Sequence, residues 1–372
     1  MIDMRRAVAD CEEAVELACR IARRVIETQD MRLRFEIMQK DKTVPRMFNP
    51  VSLAEGFSGT ALFLFALGSL GFEDFTRAGW AHLRTAFAAA NRNHGTSLFA
   101  GLSGLLAATR FAARVVETDH TVDRVLSDLH DSCIQLLLRE LHQTPKNRRQ
   151  NLSLLDGLTG AMLPLNVSAR TEFVRHHRAA TRERSQAAPP DLEGMAHGLT
   201  GAISFRISQG APKAELQRYA ELIETAADTT HPAWCNGLAG RILVLVKIHS
   251  RLHEQSRLRC AIDQLLEVCS TPVQDAGICH GTSGLVLTAN AAFNVTSDAR
   301  FLTVAERQTA RLLRAVREVL ETLEHDGRAE ACGIGDGLLS GLAGVGLTLA
   351  SLNGVLDPDW LSLFQLQTSD FA

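Results

Sequence analysis

The sequence predicts an all-α protein built from seven helical pairs, and two observations lead to this prediction. The first is a set of seven Gly-x-x-Gly phrases that begin at successive intervals of 45, 56, 41, 39, 44 and 60 residues. Intervals of this length are typical of one helical pair per repeat. The second is the pattern around each copy: an apolar run follows it, and an amphipathic, charge-rich segment leads to the next copy. The copies begin at Gly56, Gly101, Gly157, Gly198, Gly237, Gly281 and Gly341.

The apolar runs predict buried inner helices. Residues 60–67 and 241–246 are mostly apolar on all sides, and a helix without a polar face is normally buried. Segments such as residues 303–323 place leucine and valine at helical spacing on a polar background, which predicts outer helices packed on the inner ones. Glycine at both ends of each phrase permits a turn and a close backbone approach before the inner helix begins. If the pairs close into a ring, seven helix N-termini surround one mouth.

Length and composition favour one large helical body. The chain has 372 residues and is 46 % hydrophobic, enough to bury a sizeable core. The internal repetition favours a single domain over residues 1–372, with the amphipathic residues 1–45 packed outside the ring. A net charge of -3 gives no reason to expect a nucleic-acid partner, and no run reaches the roughly 18 apolar residues of a membrane span. The first residues lack an apolar signal core, so we expect a cytoplasmic protein.

The eight cysteines do not suggest a disulfide framework in such a protein. Five lie within helical patterns, where free cysteine usually packs as a small buried hydrophobe. These five are Cys11, Cys19, Cys133, Cys260 and Cys269.

Two other cysteines stand just upstream of repeat phrases, two residues before the first glycine. Cys235 belongs to Trp-Cys-Asn-Gly in the fifth copy, and Cys279 belongs to Cys-His-Gly in the sixth. If the copies hold equivalent positions on neighbouring spokes of a ring, both sulfurs lie side by side at the mouth, next to His280. Two thiolates and one imidazole leave a tetrahedral zinc ion with one open position, as in catalytic zinc sites. Ordinary packing residues are the alternative interpretation.

These motifs resemble those of the lanthionine cyclase family, the LanC-like proteins. The resemblance rests on the seven Gly-x-x-Gly phrases, the Trp-Cys-x-Gly phrase at residues 234–237 and the Cys-His-Gly phrase at residues 279–281, and it extends from about residue 50 to about residue 350. It implies an α/α toroid, a double ring of seven inner and seven outer helices. It also implies one Zn²⁺ per chain, held by Cys235, Cys279 and His280, with water as the fourth ligand.

The activity implied by the resemblance is thioether ring closure in a ribosomally made peptide. A cysteine thiol adds to dehydroalanine or dehydrobutyrine, so the implied partner is a dehydrated precursor peptide. The dehydrating or decarboxylating enzymes of the same pathway are further candidate partners. The chemistry suits a zinc site, because a free thiol with a pKa near 8.5 is mostly protonated at neutral pH and zinc coordination deprotonates it.

The addition also needs an acid that delivers a proton to the α-carbon. His197 stands in an Ala-His-Gly phrase before the fourth copy, matching a family motif whose histidine takes part in proton transfer. Histidine suits this task because its usual pKa, about 6.5, makes both protonation states available near neutrality. The alternative is structural: His197 caps the turn or orients the zinc site.

Two positions depart from the family pattern. The family's third repeat carries aspartate four residues before its first glycine, and here that residue is Ser153; Asp156, three residues later, is the substitute candidate in a different register. The fifth repeat often has arginine four residues before the cysteine, and here that residue is His231. A protonated His231 could stabilise an enolate or supply the proton. The changes indicate a different substrate or a different acid.

Three alternatives stay open. The thiol could be a decarboxylated C-terminal cysteine, which gives an aminovinyl-cysteine ring, or glutathione. The protein could be a noncatalytic scaffold with structural zinc, an interpretation that the serine at position 153 favours. An α/α-barrel glycosidase would need paired carboxylates near the mouth, for which Asp156 and Asp336 are the candidates, at unequal offsets from their repeats.

Overall fold

The computed structural model describes residues 4–39, 47–91, 94–118, 120–143, 152–185, 194–225, 230–326 and 334–367. These residues form helices and connecting turns, and no strand occurs among them. The prediction of an all-α protein is confirmed. None of the described helices is long and apolar enough to cross a membrane.

Seven inner helices form a closed ring. They are α3 (Phe57–Ser69), α5 (Leu102–Val115), α7 (Leu158–Met162), α9 (Leu199–Ser208), α11 (Leu238–Leu252), α13 (Thr282–Thr296) and α15 (Leu342–Ser351). Each of them packs against the next, and α15 packs against α3. In all seven repeats the first glycine of the phrase is the residue before the helix, with an extended backbone. The helix N-termini therefore point toward one mouth, and the predicted α/α toroid is confirmed.

The seventh helix of the outer layer comes from the N-terminal part of the chain. Six outer helices alternate with the inner ones: α4 (Glu73–Ala89), α6 (His120–Gln143), α8 (Val167–Arg184), α10 (Lys213–Glu224), α12 (Gln255–Ser270) and α14 (Arg300–Asp326). After α15 the chain forms only a short 3-10 helix, Pro358–Phe364, within the described residues. The N-terminal helix α1 (Met4–Val25) packs on α15 and α14 instead. It holds the seventh outer position, and α2 (Thr28–Gln39) follows it; residues 40–45 lie outside the described residues.

The second glycine of each phrase permits a close backbone approach. A Cβ atom at Gly104 would lie 2.1 Å from the carbonyl oxygen of Leu98, and one at Gly160 would lie 1.9 Å from that of Leu154. The same oxygen, three residues before the first glycine, crowds the corresponding glycine in all seven repeats. Glycine is therefore required here because any side chain would push the backbone apart.

A closed circle of backbone hydrogen bonds joins the repeats at the mouth. It runs through the residue two positions before the first glycine of each phrase. The amide of each such residue donates to the carbonyl of its counterpart in the neighbouring repeat, over 2.9 to 3.3 Å. We call these seven residues the mouth ring: Ala54, Phe99, Leu155, Ala196, Cys235, Cys279 and Leu339. The bonds are made by the main chain, so each side chain in the mouth ring is free to differ.

The helical cysteines follow the packing prediction with one clear exception. Cys19, Cys133 and Cys269 are buried and Cys11 is half-buried, but Cys260 is exposed. The prediction was wrong for Cys260 because it lies outside the buried stripe of α12, which holds residues 261, 262, 265, 268 and 269.

Candidate metal centre at the mouth of the toroid

The mouth ring brings the two motif cysteines together. Cys235 and Cys279 hold the same position in neighbouring repeats, and the Cys235 amide donates to the Cys279 carbonyl over 3.3 Å. His280 follows directly. The sulfur atoms of the two cysteines and a ring nitrogen of His280 all lie within 4.8 Å of one another. Both cysteines are buried, whereas His280 is exposed.

The electrostatics of this cluster favour a thiolate. Hydrogen bonds from the Cys279 thiol and from His280 lower the pKa of Cys235 to about 5. The same hydrogen bond to the Cys235 sulfur, together with burial, raises the pKa of Cys279. The pKa of His280 is raised because its ring bonds to that sulfur as well.

The donor set fits zinc. Zn–S bonds of about 2.3 Å and Zn–N bonds of about 2.0 Å place the donors of a tetrahedral site roughly 3.5 to 3.8 Å apart. The separations in the cluster are within 4.8 Å, so small side-chain movements suffice. Two sulfurs and one imidazole are also the soft donors that zinc accepts in proteins.

The position after each mouth-ring residue forms a second circle of side chains, which we call the rim. Its members are Glu55, Ala100, Asp156, His197, Asn236, His280 and Ser340. Glu55 is half-buried and the other six are exposed. His197 is therefore one repeat away from the Cys235 spoke, to which the Ala196 amide donates over 2.9 Å. Asp156 is one repeat further around the rim.

His231 lies against the cluster. Its ring is perpendicular to that of His280, with 6.1 Å between the ring centroids. Its Nδ1 atom accepts a hydrogen bond from the Ala233 amide over 3.1 Å, and the side chain is exposed. The loop before Cys235 thus places a second imidazole beside the candidate ligand.

Ser153 is a structural residue of its turn. Its buried hydroxyl donates to the Ala196 carbonyl over 2.9 Å. It also accepts from the amides of Leu155 at 3.1 Å and Asp156 at 3.3 Å. Ser52 makes the same three kinds of hydrogen bond in the first repeat. Ser153 therefore links the loops of the third and fourth repeats by a hydrogen bond.

The two carboxylates considered for a glycosidase are far apart in the ring. Asp156 lies on the rim of the third repeat and Asp336 belongs to the seventh, on the opposite side. Asp336 is buried and forms an ion pair with Arg34 of α2 at 2.5 Å. These two residues do not form the paired carboxylates that a glycosidase needs.

Two acidic residues near the cluster were missed by the sequence analysis. The charges of Asp275 and Glu55 both contribute to the raised pKa of Cys279. The Asp275 carboxylate accepts a hydrogen bond from the Gly277 amide over 2.6 Å. Glu55 could have been found from the sequence, because it stands directly before its phrase, in the register of His197 and His280.

The fold and this cluster together define a class of protein: an α/α toroid with a candidate metal centre where its inner helices begin. The family model of the lanthionine synthetase C-like proteins matches residues 47–365, and the chain belongs to this family.

The toroid also matches a solved structure. Nisin cyclase matches the toroid with a TM-score of 0.67 over 91 % of this chain and 98 % of that chain, at 15 % sequence identity. At this identity the match shows a shared fold. No curated protein is detectably similar to the chain in sequence.

Proposed function

We propose that the chain is a zinc-dependent cyclase that forms thioether rings in a ribosomally made, dehydrated precursor peptide. The observation that carries the proposal is the convergence of Cys235, Cys279 and His280 within 4.8 Å at the mouth. Membership of the lanthionine synthetase C-like family supports it, as does the fold shared with a protein named as a cyclase. We place the reaction in the cytoplasm, where a reducing environment keeps cysteine ligands free.

The ligand residues have a defined task. Cys235, Cys279 and His280 would hold Zn²⁺ with one coordination position open, and the ion would lower the pKa of a substrate thiol there and hold the thiolate. The mouth-ring hydrogen bonds fix the backbone of both cysteines. The exposed rim leaves room for a peptide to approach.

The remaining steps concern electrons and protons. The substrate sulfur forms a bond to the β-carbon of the dehydroamino acid, and the electron pair of the double bond moves to the neighbouring carbonyl as an enolate. The α-carbon then takes a proton, which completes the addition. Histidine can move such a proton near neutral pH.

Three polar residues are proposed for these steps. His197, on the rim beside the Cys235 spoke, accepts the thiol proton and returns a proton to the α-carbon. His231, next to His280, stabilises the enolate oxygen when protonated, or gives the proton itself. Asp156, the next rim residue, balances the charge on His197.

The metal is tested first. Elemental mass spectrometry of the purified protein should find about one zinc per chain, and Cys279→Ala should lose it. The absence of zinc from the wild-type protein after metal supplementation would contradict the proposal.

The reaction is tested with a dehydrated peptide that carries one cysteine and one dehydroalanine. Ring closure leaves the peptide mass unchanged but removes the thiol from alkylation, whereas a glutathione adduct gains mass. A peptide with a decarboxylated C-terminal cysteine tests the aminovinyl-cysteine alternative in the same assay. Ring formation at the wild-type rate by zinc-free Cys279→Ala would exclude the mechanism.

His197→Asn separates proton transfer from metal binding. The variant should keep its zinc while ring closure slows by about 100-fold or more, the usual contribution of a general acid or base. An unchanged rate would show that another residue supplies the proton.

A noncatalytic scaffold is the second candidate function. It is favoured by Ser153, whose hydroxyl bonds the turn and carries no charge for a catalytic histidine. A scaffold would bind zinc and the precursor peptide without accelerating ring closure over the uncatalysed rate.

A further inference from the structure

The third inner helix leaves a space in the ring at the end away from the mouth. Helix α7 has 5 residues, whereas the other six inner helices have between 10 and 15. Pro164 stands just after it and cannot donate the next helical hydrogen bond. A cavity of about 510 Å³ lies between the C-terminal parts of α5 and α9, bordered by the 3-10 helix Pro358–Phe364.

Three arginines line this cavity, and two of them, Arg110 and Arg170, form no ion pair with the residues that the structure describes. Arg170 of α8 donates from Nη2 to the carbonyls of Leu163, at 2.8 Å, and Leu165, at 2.7 Å. Its Nε atom is buried and has no hydrogen-bond partner among the described residues. Arg110 of α5 is half-buried and forms no hydrogen bond or ion pair with the residues that the structure describes.

The two guanidinium groups repel each other. Burial lowers the pKa of both, and the charge of Arg110 lowers the pKa of Arg170 further. The third arginine, Arg114, is ion-paired with Asp359, a carboxylate in the cavity wall. Two like charges in a partly buried space cost free energy unless an opposite charge compensates them.

The rest of the wall is largely apolar. Phe111 from α5, Phe205 from α9 and Trp360 from the 3-10 helix line the cavity. Its volume lies in the range of small-molecule sites, which combine apolar walls with a few oriented polar groups. The cavity is therefore suited to a ligand with one charged end.

We propose that this cavity binds a small organic anion, with a carboxylate or phosphate group between Arg110 and Arg170 and an apolar body against Phe111, Phe205 and Trp360. Arginine binds both kinds of anion through charge-assisted hydrogen bonds. The site is at the opposite end of the toroid from the metal centre, so it does not depend on the proposed function.

Isothermal titration calorimetry on the full chain tests the proposal. Phenyl phosphate and phenylacetate are the anionic probes, and phenol is the neutral control of similar shape. At least one anion should bind roughly tenfold or more tightly than phenol, since hydrogen bonds to charged groups are among the strongest. The tighter anion identifies a phosphate or a carboxylate ligand. Equal binding of all three probes would overturn the proposal.

Matched variants locate the binding. Arg110→Gln should weaken anion binding roughly tenfold or more and should fold normally, because Arg110 bonds none of the described residues. Arg77→Gln removes the same charge from a side chain on α4 that is 78 % exposed and should bind like the wild type. Equal affinities of these two variants would overturn the assignment.

A third variant separates the cavity from the metal centre. Cys279→Ala should keep the full anion affinity, because the cavity shares no residue with the cluster at the mouth. Loss of anion binding in Cys279→Ala would place the anion at the metal and overturn the proposal.

Discussion

Repeats one and four differ from repeats five and six in side chains but not in backbone. Their mouth-ring residues are Ala54 and Ala196 in one pair, and Cys235 and Cys279 in the other. All four make the same amide-to-carbonyl hydrogen bond to the neighbouring repeat. The main chain thus closes the ring, and the side chains on it can differ from one sector to the next without disturbing the fold elsewhere. Two kinds of variant test this separation. One removes a candidate zinc ligand and leaves the backbone unchanged, and the other disturbs the backbone and leaves the candidate ligands unchanged.

Cys235→Ala should have the largest effect, which is a loss of zinc binding, and should change the fold little. The variant gives repeat five the alanine that repeats one and four already have. Loss of one of three protein ligands should weaken zinc binding by more than about 100-fold, the upper range for loss of a partner that only orients a ligand. Elemental analysis measures the zinc, and circular dichroism should show unchanged helix content.

The exposed Cys260 provides the control for this variant. Cys260→Ala removes a thiol from α12 and should keep its zinc. Unfolding of Cys235→Ala would contradict the separation, because it would show that the metal is needed to close the ring.

Gly104→Ala should have the opposite effect: it should destabilise the fold and leave the candidate zinc ligands in place, because repeat two has no candidate ligand. The added Cβ atom would meet the Leu98 carbonyl oxygen at 2.1 Å. The backbone must move, so the free energy of unfolding should fall by about 3 kcal/mol or more. Urea denaturation measures the loss. Gly335→Ala is the control, with Met38 Sδ at 3.6 Å as the nearest contact, and it should change stability by less than about 1 kcal/mol. Similar effects of the two variants would show that the close approach is not what requires glycine.

His177 should make the third repeat sensitive to acid. Its buried ring bonds the Thr159 hydroxyl at 2.9 Å, and burial and the charge of Arg206 lower its pKa from 6.5 to about 3. As the pH falls, the unfolded chain takes up a proton on this residue before the folded chain does. The stability that neutral His177 contributes is therefore complete above about pH 6.5 and is lost as the pH falls toward 3.

Urea denaturation at pH 7 and pH 5 tests whether stability falls with pH in this direction. The decrease in unfolding free energy between these pH values should be about 2 kcal/mol smaller in His177→Asn than in the wild type. Phe173→Leu, on the same buried face of α8, should lower stability equally at both pH values. An equal pH dependence of His177→Asn and the wild type would rule out this role.

Much of the fold and the candidate metal site could be predicted because both depend on local sequence. The repeated glycines mark where each inner helix begins, and the register before them places Cys235 and Cys279 on neighbouring spokes. The contact between His231 and His280 could not be predicted, since it depends on the conformation of a loop.

Long-range packing limits prediction in other places. The amphipathic pattern of α1 predicts an outer helix but not its place on α15, which depends on the seventh inner helix having no outer helix after it in the described chain. Pro164 is visible in the sequence, but the cavity beside α7 forms from helices that are distant along the chain. Arg110 and Arg170 likewise come to line one cavity only through tertiary packing, because they belong to helices of different repeats.

The smallest predicted effect compares the two serines that join adjacent spokes. Ser52→Ala and Ser153→Ala should each lower the free energy of unfolding by about 1 to 2 kcal/mol, because each removes three hydrogen bonds that fix a turn and join it to the neighbouring repeat. Ser153 bonds the backbone of Asp156 and of Ala196, next to His197. Ser153→Ala should therefore also slow ring closure a few-fold, which Ser52→Ala should not do. Equal rates of ring closure in the two variants would show that Ser153 stabilises its turn but does not position His197 for the reaction.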